Sequence, residues 1–169
     1  GILGLGKLGA QVARVGLAFG MNVQAWSANL PPDRCTECGV VCASREELFA
    51  TSDIVTVHLV LSDRTRGLIG ATEFQMMKPT AYLVNTSRGP IIQESALVSA
   101  LQSGSIAGAG LDVYDTEPLP QNHPLRDLDN AVLTGHTGYV MRENYVTGYR
   151  GVVEDVSAWL NGEPVRLLN

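Results

Sequence analysis

Gly4-Leu5-Gly6-Lys7-Leu8-Gly9 spaces its glycines as a chain must to wrap a phosphate group. Gly4 allows a tight turn and Gly6 lets the main chain approach an anion. Gly9 lets the following helix lie close on the preceding strand. Lys7 and Leu8 fall in the first helical turn, whose free N–H groups are donors for that anion. Farther along come Arg88, Asp112, Glu117 and His136, each following or near the end of a short apolar stretch. An arginine offers a planar donor fork that matches a carboxylate. A histidine exchanges a proton near neutral pH, and a nearby carboxylate orients its ring and favours the charged form. These residues supply an anion clamp, a proton donor and an orienting acid.

Residues so far apart in sequence converge only if regular elements carry them to one place. Short apolar segments at 1–4, 22–26, 54–58, 81–84, 107–113 and 131–133 read as strands. Helical spacing runs over 7–19, where Gly9, Ala13, Gly16 and Gly20 form a small-residue stripe and Gly20 falls just past the helix end. Ser44 and Glu47 stand in capping-box spacing ahead of a short helix. Residues 94–102 read as a helix, and Val146, Tyr149, Val153, Val156 and Leu160 mark an amphipathic final one, stopped by Gly162 and Pro164. The stretch 30–42, with Pro31, Pro32 and Gly39, reads as loop. Alternating strands and helices predict a doubly wound parallel α/β sheet of the Rossmann kind, in three α/β/α layers. The ligand crevice of such a sheet lies outside the carboxyl ends of its strands, where Arg88, Asp112, Glu117 and His136 are expected.

Composition narrows the partners. The chain has 169 residues, 45% hydrophobic and 17% charged, which suits one globular domain over residues 1–169. A net charge of -5 disfavours a nucleic-acid backbone, and no apolar run approaches the length that spans a bilayer. Three cysteines fit a reducing, cytoplasmic setting better than a disulfide framework. Cys35, Cys38 and Cys42 lack a fourth neighbouring ligand for structural zinc, so no metal is expected. His58 is expected to line the adenine side or pack in the core, and His123 to be solvated. Ile2 and Leu3 alone precede the first motif glycine, which suggests a first strand cut short and a longer parent chain.

The glycine motif follows a strand and opens a helix, the setting that makes it a dinucleotide site. The acidic residue that usually ends the second strand, and that would bond the ribose 2′-hydroxyl, is missing. Trp26-Ser27-Ala28-Asn29 stands there instead. Ser27 and Asn29 can bond either form of the ribose, and Arg34 lies a short loop away. Both NAD and NADP are therefore admitted.

Taken with Asn85-Thr86-Ser87-Arg88-Gly89-Pro90, Gly110-Leu111-Asp112-Val113, Glu117-Pro118 and His136-Thr137-Gly138, the glycine motif resembles the nucleotide-binding domain of the D-isomer-specific 2-hydroxyacid dehydrogenases. The resemblance covers essentially the whole chain. It implies hydride transfer between NAD(P)H and a 2-oxo or D-2-hydroxy acid. Arg88 would hold the substrate carboxylate and carbonyl, His136 would be the general acid/base and Glu117 its partner. Asp112 would hold the nicotinamide carboxamide, with Thr86, Ser87 and Gly138 lining the cofactor site. Glu117, where formate-oxidising relatives carry Gln, speaks against formate. Gly135 departs from the proline the family commonly has before the histidine. The resemblance further implies a homodimer and a second, substrate-binding domain built mainly from sequence before the glycine motif. It also admits a second role, a dinucleotide-sensing interaction module without significant turnover.

Overall fold

The computed structural model describes residues 1–168; Asn169, the expected domain end, lies outside them. Its elements form two units, Gly1–Gly135 and His136–Asn169. The first holds a parallel seven-stranded sheet in the order β3-β2-β1-β4-β5-β6-β7. The strands are β1 (Ile2–Leu3), β2 (Gln24–Trp26), β3 (Val41–Cys42), β4 (Ile54–Val57), β5 (Tyr82–Asn85), β6 (Gly108–Leu111) and β7 (Ala131–Leu133). The helices between them are α1 (Lys7–Ala18), α2 (Pro32–Cys38), α3 (Arg45–Thr51), α4 (Ala71–Met76) and α5 (Glu94–Ser103). The expected doubly wound architecture is present, with the order reversing between β1 and β4.

Strand periodicity sorts the core onto two faces. Ile2 joins a small cluster with Leu5, Ala13, Val23, Ala25, Cys35 and Val40, which seats α1 and α2. Its neighbour Leu3 points the other way, into the large cluster with Phe49, Val55, Val57, Phe74, Leu83, Leu97 and Leu111, which seats α3, α4 and α5. Gly9 and Ala13 are the buried residues of α1, as the small-residue stripe requires. Ser44 and Glu47 form the expected capping box on α3.

The stretch 30–42 corrects the loop reading. Pro32 occupies the first turn of α2, where a missing N–H costs nothing. Gly39, at φ 68°, ends the helix in the left-handed region and turns the chain into β3. That turn brings the Cα atoms of Cys35 and Cys42 to 5.7 Å, and the two are joined by a disulfide, contrary to the expectation of reduced thiols. Cys38 is a free thiol. The helix α4, unassigned from sequence, is capped by Glu73, whose carboxylate accepts the Gly70 N–H at 2.8 Å and pairs with Arg45 at 2.7 Å.

The second unit consists of a turn and the helix α6 (Arg142–Leu160). None of its described residues is buried, and Tyr149, Val153, Trp159 and Leu160 are exposed. No helix among the described residues is long and apolar enough to cross a membrane.

Candidate active site

The glycine turn is built by close approach. Gly4 sits at φ +97°, and a Cβ on it would fall 2.6 Å from the His58 carbonyl oxygen. A Cβ on Gly9 would meet the Gly4 carbonyl oxygen at 1.9 Å, so α1 rests directly on the turn. Gly6, the residue that caps α1, faces open space instead. The first-turn N–H groups of α1 thus border a cradle that any side chain at Gly6 would enter. This fits a pyrophosphate. Lys7 and Leu8 are exposed beside it.

Next to the turn, beyond β2 and β4, lies a cavity of about 320 Å³. Ser27, Ala28 and Asn29 line one side, Leu59, Val60 and Leu68 the other, with Trp26, Ser62, Arg64 and Thr65 completing it. Its size and mixed lining suit an adenosine moiety. The Trp26 ring is held by the Arg45 guanidinium, 5.8 Å from its centroid. Arg34, the cation that sequence spacing pointed to, is engaged elsewhere. Its Nε donates to the Leu5 carbonyl at 3.3 Å and its Nη1 to Glu37 at 3.0 Å. His58 does not line this cavity. It is half-buried at the end of β4, its Nε2 lies 3.0 Å from Thr56 Oγ1, and burial lowers its pKa from the usual 6.5.

The loops after β5 and β6 carry the proposed substrate residues. Asn85, fully buried, shapes the first of them. Its Nδ2 donates to the Arg88 carbonyl at 2.9 Å and its Oδ1 accepts the Ser87 N–H at 3.0 Å. Ser87 Oγ donates to the Leu59 carbonyl, tying this loop to the cavity wall, while Thr86 is exposed. Arg88 is exposed, and its Nη1 donates to the Ser87 carbonyl at 2.6 Å. Asp112 is buried at the end of β6 and accepts a hydrogen bond from Thr134 Oγ1. Glu117 Oε1 accepts the Tyr114 N–H at 2.9 Å, and the Glu117-Pro118 peptide is cis. Tyr114 donates its hydroxyl to the Leu111 and Thr134 carbonyls, and burial raises its pKa above the usual 10.

The two loops meet at Gly89. A Cβ there would lie 2.1 Å from the Tyr114 carbonyl carbon. Within the first unit the fold therefore brings together the Arg88 loop, Asp112 and the Glu117 loop at the carboxyl ends of β5 and β6. Tyr114 and Thr134 were not singled out from sequence, and Asn85 entered only within the Asn85–Pro90 motif, with no role of its own. Asn85 alone left a signal, as a polar residue ending an apolar strand.

His136 opens the second unit in the left-handed backbone region, at φ 55°, uncommon for a residue with a side chain. Its ring meets Tyr139 edge-on, with centroids 5.9 Å apart. Thr137 accepts the Val140 N–H, and Gly138 lies within the turn that leads to α6. His123, expected to be solvated, is mostly enclosed. Its Nε2 lies 2.9 Å from Glu94 Oε1, with the imidazole side chain only 14% exposed.

Comparison with known proteins bears on the same residues. Residues 1–138 match the family model described as D-isomer specific 2-hydroxyacid dehydrogenase, NAD binding domain. A glyoxylate reductase of Aeropyrum pernix is 44% identical over 100% of this chain and 51% of its own length. A D-3-phosphoglycerate dehydrogenase of Archaeoglobus fulgidus is 39% identical over 98% of this chain and 32% of its own length. Among solved structures, a D-lactate dehydrogenase with NAD+ from Lactobacillus jensenii superposes with a TM-score of 0.83 at 27% identity, over 99% of this chain and 54% of that one. The chain thus spans about half the length of the glyoxylate reductase and a third of the phosphoglycerate dehydrogenase.

Proposed function

The chain belongs to the D-isomer specific 2-hydroxyacid dehydrogenase family, as its NAD-binding domain, and from that premise we propose that the protein reduces a 2-oxo acid to a D-2-hydroxy acid, or runs the reverse oxidation. Bound NAD(P)H supplies the hydride to the carbonyl carbon. The chain does the rest: it binds, orients and moves the proton. Gly4, Gly6, Lys7, Leu8 and Gly9 hold the pyrophosphate, Ser27 and Asn29 the ribose, and Thr86, Ser87, Asp112 and Gly138 the nicotinamide side. Arg88 clamps the substrate carboxylate through its donor fork. His136 delivers a proton to the carbonyl oxygen, with Glu117 as its carboxylate partner.

The observation that carries this reading is the contact at Gly89, which sets the Arg88 loop against the Glu117 loop beside the carboxyl ends of β5 and β6. The names of the relatives support the substrate class. Glyoxylate is a 2-oxo acid, lactate and 3-phosphoglycerate are 2-hydroxy acids, and all carry the carboxylate that an arginine fork recognises.

The test is NADH and NADPH oxidation by the complete protein with a panel of 2-oxo acids, with nucleotide affinity titrated in parallel. His136→Ala is expected to lower turnover by roughly 10²–10⁴-fold, the range for general acid catalysis. Arg88→Lys keeps the charge and loses the fork, so kcat/KM for the acid falls while nucleotide affinity stays. Near-normal turnover in His136→Ala, or an unchanged kcat/KM in Arg88→Lys, would overturn the assigned roles.

A further inference from the structure

We propose that Arg64 is a 2′-phosphate ligand, and that the protein therefore selects the 2′-phosphorylated dinucleotide, NADP(H), over NAD(H). The inference rests on the reading of the crevice as a dinucleotide site and adds the residue that decides between the two cofactors.

Three observations carry it. First, Arg64 lines the cavity beside the glycine turn, with Ser27 and Asn29 on the same cavity. Second, no carboxylate lines that cavity. The end of β2 offers Ser27 and Asn29 where an acid would bond the ribose hydroxyls and repel a phosphate. Third, Arg66 does not line the cavity, and Arg34 and Arg45 are engaged. Arg34 is bonded to Leu5 and Glu37, and Arg45 to Glu73 and the Leu68 carbonyl. Arg64 makes no ion pair or side-chain hydrogen bond among the described residues, and its neighbour Asp63 does not line the cavity.

The backbone that carries Arg64 is set in advance. Thr65 Oγ1 accepts the Ser62 N–H at 2.8 Å and donates to the Val60 carbonyl at 2.7 Å, closing the turn on which Arg64 sits. A guanidinium with no carboxylate to neutralise it, at the mouth of an acid-free cavity, matches a phosphate dianion in charge and in fork geometry. Ser27 Oγ and the Asn29 amide add neutral donors. A bare 2′-hydroxyl would use only these donors, whereas a 2′-phosphate would use all three groups.

The test is calorimetry on the complete protein with two probes, adenosine 2′,5′-bisphosphate and adenosine 5′-monophosphate, alongside NADH and NADPH titrations followed by tryptophan quenching. The 2′-phosphorylated probes are expected to bind about 10- to 100-fold more tightly than their partners, the range for a charge-assisted contact. Arg64→Ala should remove that preference, Arg64→Lys should keep part of it, and Arg34→Ala should leave it in place. Equal affinity for both probes in the unaltered protein would overturn the assignment of Arg64 while leaving the dinucleotide site standing. So would an equal loss for both probes in Arg64→Ala. Failure of all four nucleotides to bind would overturn the dinucleotide reading and Arg64 with it.

Discussion

His58 links a titrating side chain to the backbone beneath the cofactor turn. Its N–H donates to the Leu3 carbonyl at 2.7 Å, its carbonyl oxygen backs Gly4, and its ring is half-buried. Burial favours the neutral imidazole, so the folded pKa lies below the ordinary 6.5. Below that value the unfolded chain binds the proton more readily than the folded one, and stability must fall as pH drops. Urea unfolding measured from pH 7 to pH 5 is expected to show this loss, and His58→Asn to flatten it. An unchanged pH slope in that variant would place the titrating group elsewhere. The sequence placed His58 correctly at a strand end but not its surroundings, because a partly buried histidine and a ligand-lining one share the same local pattern. Arg34 and Arg64 present the same problem. Each is a cation in a polar stretch, and only the partners that the fold brings, Leu5 and Glu37 for one and the open cavity for the other, tell them apart.

At the scale of elements, the contact between the loops after β5 and β6 is steric and backbone to backbone. A methyl group at Gly89 would fall 2.1 Å from the carbonyl carbon of Tyr114 and 2.6 Å from the amide nitrogen of Asp115, neither of which can rotate away. Gly89→Ala is therefore expected to cost about 2 kcal/mol, within the range for overpacking. It should also separate the Arg88 and Glu117 loops, lowering kcat/KM for the 2-oxo acid more than nucleotide affinity. Chemical denaturation and steady-state kinetics on one preparation would check both. The strands flanking these loops were legible because apolar runs such as 81–84 and 131–133 sit between clear turn residues. The elements α2 and β3 were not. Pro31, Pro32 and Gly39 read as loop punctuation, yet Pro32 begins a helix and Gly39 ends it. The same residue types mark a loop and the two ends of a short helix, and a seven-residue helix leaves too few turns for its period to show.

Across the whole molecule, every buried hydrophobic residue described lies between Ile2 and Leu125, inside the first unit. A chain ending at Gly135 is thus expected to keep the circular dichroism and cooperative unfolding of the sheet, with a urea midpoint close to that of the 169-residue chain. A midpoint far below it would show that the second unit stabilises the first. The sheet order carries one more consequence. Each pairing joins strands consecutive in the chain except that of β1 with β4, where Ile2 meets Thr56, and the glycine turn stands on that junction. Closing a loop of doubled length costs only about 0.6 kcal/mol more, so the junction is not weak once formed. It is, however, where two runs of sequence-adjacent strands, β1 to β3 and β4 to β7, are joined. A dinucleotide lying across that seam would act as a fastener between early and late parts of the chain, and a hundredfold excess over its Kd would add about 2.7 kcal/mol to the stability of the fold. The abundance of the protein in a cell would then follow its supply of the dinucleotide.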